Sequence, residues 1–128
     1  MIEEPPVLTI KSTLRRPSAV QIAAFQGVST GVVLDARDGK GALDGRIGPV
    51  GDGRDIDCRA AGPALTVNCG PGDILALFTS LPSIRSGDIV VCSVAGHQGC
   101  AAAGDRISGL MRNNGAAGFV TDGPMRDY

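Results

Sequence analysis

The apolar residues of this chain fall into short runs whose spacing changes along the sequence, most clearly near its end. Gly87-Asp88 is a turn signal, and Ile89, Val90, Val91, Cys92 and Val94 follow as a β-branched run of strand length. The stretch 93–103 is small and glycine-bearing. Ile107, Leu110 and Met111 then recur at i, i+3 and i+4, with Asn114-Gly115 as a stop, which predicts a helix over 104–113. Residues 116–121 (AAGFVT) read as a second strand, ended by Asp122-Gly123-Pro124. The predicted order is strand, helix, strand.

Upstream the pattern is less regular. Residues 1–15 read as an extended arm, in which Val7, Thr9 and Ile10 could add an edge strand or pack on another subunit. Pro17-Ser18 opens a helix carrying Val20, Ile22, Ala23, Ala24 and Phe25 and stopping at Gly27. Val28 to Ala36 leads into a glycine-rich loop over 38–55 that lacks the G-K-[ST] ending of a phosphate-binding loop. Cys58 to Cys69 reads as a strand interrupted at Gly62-Pro63, so it should be an edge, bulged or kinked strand. Asp73 begins a helix over 74–81 with Ile74, Leu77, Phe78 and Leu81 on one face. One α/β domain accounts for residues 16–128.

If the two late strands are parallel neighbours, the helix start and the end of the second strand share one edge of the sheet. Gly104 to Ile107 would then face Arg126 and Asp127. Free N–H groups of a first helical turn attract carboxylates, Arg126 offers a two-pronged donor, and Asp127 is a hard oxygen ligand for Mg²⁺ or Mn²⁺. The bland reading of Arg126-Asp127 is an exposed charged turn, and that of Asp105 a first-turn acid favoured by the helix dipole.

Composition narrows the alternatives. With 12 Lys+Arg against 13 Asp+Glu, charge gives no reason to expect nucleic acid or an anionic membrane as partner. The opening Met1-Ile2-Glu3-Glu4-Pro5-Pro6 is unlike a secretory signal, and no apolar run approaches a membrane span, so a soluble cytoplasmic protein is expected. Cys58, Cys69, Cys92 and Cys100 form no C-x-x-C pair and read as buried reduced thiols. His97, the only histidine, reads as a solvated loop residue rather than a general base. Asp35, Asp38, Asp44 and Arg46 read as a solvated charge-rich loop, and Arg15-Arg16 as a surface pair.

Three stretches, RPSAVQIAAFQGVSTGVVLDARDGKGALDGRIGPV (16–50), CRAAGPALTVNCGPGDILAL (58–77) and GDRISGLMRNNGAAGFVTDGPMRD (104–127), together resemble the RraA-like family. That family includes 4-hydroxy-4-methyl-2-oxoglutarate aldolases and the regulator of ribonuclease activity A. The resemblance implies an α/β sandwich of the swivelling β/β/α type, assembled as a homotrimer or hexamer. It also implies a divalent-metal-dependent class II pyruvate aldolase with oxaloacetate decarboxylase side activity. On the matching positions, Gly104, Asp105, Arg106 and Ile107 correspond to the turn that binds the substrate carboxylate. Arg126 corresponds to the residue contacting the keto oxygen, Asp127 to the metal ligand, and Asp105 to an acidic position beside the metal's water shell.

Two departures accompany the match. Relatives usually continue for tens of residues past the Arg-Asp pair, so the family's C-terminal part is expected to be absent from a chain ending at Tyr128. The loop before Gly104, AGHQGCAAA, also differs from the commoner acidic, serine-bearing version. The competing function is a non-catalytic regulator that binds a ribonuclease or another protein. The retained Arg126-Asp127 pair with Asp105 favours the enzyme over it. A methyltransferase acting on a menaquinone precursor fails on chemistry, because no strand leads into a glycine-rich nucleotide-binding turn.

Overall fold

In the computed structural model the described residues are 4, 6–54 and 56–128. Residues 1–3 and 5 of the expected arm, and Asp55 of the glycine-rich loop, lie outside them. The described part of the arm forms no helix or strand.

The first two helices are short. In α1 (Ala19–Ala24) Ser18 closes a capping box with Gln21, each side chain bonding the other's backbone N–H. A second helix, α2 (Thr30–Asp35), forms within the 28–36 segment. Neither buries a residue, and Val20 and Val32 stand 80% and 60% exposed. Among the described residues of 36–63 there is no strand, and a 3-10 turn forms at Val50–Gly53. Within this loop Arg46 pairs with Asp44 in water.

The core begins with β1 (Ala64–Asn68), continues through α3 (Leu75–Ser80) and β2 (Ile89–Ser93), and ends with α4 (Asp105–Asn113) and β3 (Gly118–Thr121). All strand pairings are parallel, in the order β1-β2-β3. The strand expected over 58–69 therefore forms only after Pro63. Pro63 contributes its carbonyl, which accepts from Ile89 N, and β1 takes the sheet edge where a neighbouring proline is tolerated.

The pleat explains the packing. Leu65, Val67 and Cys69 alternate with exposed Ala64, Thr66 and Asn68, and Val90 and Cys92 on β2, with Val94 just past it, continue the buried set. Leu77 of α3 and Met111 of α4 join the same cluster, with Ile74, Ile107 and Phe119 partly buried around it. Helices thus cover one face of a small parallel sheet, a single mixed α/β domain. Among the described residues no helix is long and apolar enough to cross a membrane.

Two expectations change. Arg16 is half-buried and not a freely solvated surface residue, because its guanidinium grips the buried Asp88 and the Ser83 carbonyl. Of the cysteines, Cys69 and Cys92 are buried, but Cys58 and Cys100 are exposed, since they sit in loops outside the sheet. Burial, reinforced by the neighbouring Cys69, pushes the Cys92 thiol up to about 12.

Candidate functional site

The parallel connection β2-α4-β3 returns the chain to the edge where the strands end, the usual position of ligand crevices in open α/β sheets. There the segment before α4 and the segment after β3 pair directly. Ala103 and Met125 form a parallel bridge, Ala102 N donates to Pro124 O at 2.8 Å, and Arg126 N donates to Ala103 O at 3.2 Å. Gly104, the N-cap of α4, is thereby pressed against Arg126. A Cβ on Gly104 would lie 3.1 Å from both the Arg126 Cγ and its carbonyl oxygen, so a side chain there would crowd the arginine.

From Gly104 the helix starts abruptly. Ser108 N donates to the Gly104 carbonyl, closing the first helical bond, while the N–H groups of the first turn look outward. The Asp105 carboxylate folds onto the Arg106 N–H at 2.7 Å and occupies one of them. The Arg106 amide is thus taken up by Asp105, which leaves those of Asp105 and Ile107 as the donors the first turn has to offer. Arg126 and Asp127 are 76% and 65% exposed, with Nε and Oδ2 3.3 Å apart. Asp127 has φ +51, a left-handed backbone that Asp tolerates better than most residues and that collects at functional sites.

The donor set limits which cation could bind. Among the described residues no three His, Cys, Asp or Glu side chains converge on one point, as a zinc centre would need. A hard, water-rich ion held by one or two carboxylates plus substrate oxygens matches Asp127. The residues present fit Mg²⁺ or Mn²⁺ in that partial sense.

Asp122, which reads in the sequence only as a strand terminator, has a larger part in the structure. Its carboxylate accepts from Val94 N at 2.7 Å, Ser93 Oγ at 2.8 Å and Gly96 N at 3.0 Å. The Val94 amide, outweighing partial burial with help from Ser93 and Gly96, holds the carboxyl below its usual range. A polar residue directly after a half-buried strand was the signal available. His97 is half-buried and lines a small depression with Asp73 and Cys100, apart from the Arg126-Asp127 pair. Asp73 caps its turn through the Leu75 N–H.

Similarity to known proteins extends over the segments that form this edge. The RraA-like family model, described as Aldolase/RraA, matches residues 30–128. A Halalkalibacterium halodurans protein named "Putative 4-hydroxy-4-methyl-2-oxoglutarate aldolase" is 35% identical over 106 residues, which cover 83% of this chain and 49% of that protein. The crystal structure of Streptomyces coelicolor RraAS2, described as an unusual member of the RNase ES inhibitor RraA protein family, aligns with a TM-score of 0.70 at 26% identity. It covers 88% of this chain and 58% of that one. An uncharacterized protein from Pseudomonas syringae aligns at 0.66 with 24% identity, over 91% of this chain and 53% of that one, and speaks to fold alone. The chain thus spans about half the length of the curated relative it matches. On the family match across its core and site segments, this chain belongs to the RraA-like family.

Proposed function

We propose that the edge formed by Gly104 to Ile107, Arg126 and Asp127 holds the pyruvyl end of a small keto acid. On this reading the protein is a divalent-metal-dependent class II pyruvate aldolase, cleaving 4-hydroxy-4-methyl-2-oxoglutarate-type substrates and decarboxylating oxaloacetate as a side reaction. The observation that carries it is the Ala103–Met125 bridge, which brings a helix N-terminus and a guanidinium to one edge beside an exposed carboxylate. The name of the Halalkalibacterium halodurans relative supports the same reaction class.

Each group then has a distinct task. The amides of Asp105 and Ile107 bind the substrate carboxylate, helped by the helix dipole. Arg126 stabilises the negative charge that develops on the keto oxygen as the C–C bond breaks, an effect worth up to several kcal/mol in a preorganised site. Asp127 would hold Mg²⁺ or Mn²⁺, with Asp105 beside its water shell. When bound, the ion supplies Lewis-acid polarisation of the keto oxygen. Val20 on α1, Phe25 at its C-cap and Val32 on α2 are exposed, which supports self-association; the assembly we propose is a homotrimer or hexamer, and the compartment the cytoplasm.

A coupled pyruvate-release assay tests this, run with 4-hydroxy-4-methyl-2-oxoglutarate and oxaloacetate, with Mg²⁺ or with EDTA. Release should need the metal and disappear in Asp127→Ala. The likeness to RraAS2 favours a second reading, a non-catalytic regulator that binds a ribonuclease or another protein. Absence of pyruvate from both substrates, with metal present and the assembly intact, selects that reading.

A further inference from the structure

The site depends on two backbone segments lying in register, and one side chain ties together the loops that lead into both. Asp122 follows β3 directly, three residues before Met125. Its two carboxylate oxygens take the Val94 amide, the Ser93 hydroxyl and the Gly96 amide, from the last residue of β2 and the loop that leaves it. That loop turns through left-handed Ala95 and Gly96, at φ +55 and +68, a conformation that costs energy at alanine and gathers N–H groups around one anion. The Ser93 hydroxyl also accepts from Ala95 N, and Gln98 Nε2 donates to the Asp122 carbonyl.

Close packing makes the tie stiff. A Cβ on Gly123 would lie 2.5 Å from Val94 Cγ2 and 2.9 Å from Ala102 Cβ, so the β3 exit, the β2 exit and the approach to α4 meet there without slack. From this junction the chain continues into the hydrogen bonds Ala102 N to Pro124 O and Arg126 N to Ala103 O.

We propose that Asp122 is a positioning residue: by fastening the Ser93–Gly96 loop to the exit of β3, it sets the register in which Gly104 faces Arg126. Its catalytic consequence rests on the keto-acid reading above. The register itself does not. Asp122 touches no substrate; it acts through the backbone that presents the Asp105 and Ile107 amides and the Arg126 guanidinium.

Asp122→Asn is the direct test, because it keeps the shape but puts an NH2 group where one oxygen accepts. Two quantities are read: hydrogen exchange at the Ala102 and Arg126 amides, with the Val90 and Cys92 amides as an internal measure of the sheet, and the affinity for oxalate with Mg²⁺ as a pyruvate-like probe. Exchange at Ala102 and Arg126 should accelerate and oxalate should bind roughly 10-fold or more weakly, with the sheet amides still protected. Ser93→Ala, which removes one of the three donors, should change both in the same direction by less, and it carries the test if Asp122→Asn does not fold. Wild-type exchange at Ala102 and Arg126 in the folded variants would overturn the proposal. If the wild-type chain itself fails to bind oxalate, the keto-acid reading fails, and the exchange measurements still decide the role of Asp122.

Discussion

Arg16 and Asp88, 72 residues apart in sequence, form a two-pronged ion pair, with Nε 3.1 Å from Oδ1 and one terminal nitrogen 2.6 Å from Oδ2. Asp88 is 1% exposed and opens the turn into the central strand β2. Arg16 also donates to the Ser83 carbonyl, so it staples the segment before α1 onto the turn between α3 and β2. Planar two-point bonding is a task that lysine cannot copy.

Removing this guanidinium should therefore destabilise the fold. Arg16→Ala leaves Asp88 buried with the Arg85 N–H as its remaining partner, at a cost of about 1–3 kcal/mol. Arg16→Lys should recover only part of the loss. Urea denaturation checks both, and an unchanged midpoint in Arg16→Ala would show that the pair contributes nothing.

Acid should act on the same pair. Burial of Asp88 opposes its charge, but the Arg16 guanidinium and the Arg85 amide outweigh that and hold it below the usual carboxylate range. Asp122 is lowered as well, chiefly by the Val94 amide. Both contribute full stability above the unfolded-chain value of about 4 and lose it as pH falls through their lower folded values. The denaturation midpoint should be flat in this respect from neutral pH down to about 5 and fall below about 4. In Arg16→Ala the fall should be shallower.

These contacts also separate what the sequence discloses from what it hides. The strand-helix-strand order of β2, α4 and β3 was readable because periodicity is local, and parallel connectivity alone brings Gly104 near Arg126. Nothing local marks Arg16 as the partner of Asp88, or Asp122 as the partner of Val94 and Gly96, because both ties join distant segments through ordinary charged residues. The two exposed cysteines escaped for a related reason: apolar neighbours in sequence say little when the segment never pairs into the sheet. The placement of the candidate residues was legible where it follows from connectivity and hidden where it relies on side chains reaching across loops.

Thiol labelling should divide the cysteines in two. Cys58 and Cys100 should react at once with a water-soluble thiol reagent, while Cys69 and Cys92, buried with sulfurs 3.8 Å apart, should react only on unfolding. The elevated Cys92 value reinforces the difference, since the thiolate is the reactive form. Mass spectrometry of the labelled native protein should find two adducts, and four would refute the burial of the β1-β2 pair.

Two glycines of one helix should respond to alanine in opposite directions. Gly109 lies inside α4, where an added Cβ would meet nothing within 4 Å, so Gly109→Ala should stabilise the protein by about 0.5–1 kcal/mol through helix propensity. Gly104 has an extended backbone that alanine can adopt, so any penalty there comes from contact alone. Its Cβ would press on the Arg126 Cγ and carbonyl oxygen at 3.1 Å, and the exposed arginine side chain gives way more readily than the bridged backbone. Gly104→Ala should thus cost at most about 1–2 kcal/mol of stability. On the proposed keto-acid reading it should also raise the KM for oxaloacetate, because the guanidinium is pushed away from the first turn of α4. A Gly104→Ala protein with unchanged KM would mean that Arg126 does not act from the place where the fold holds it.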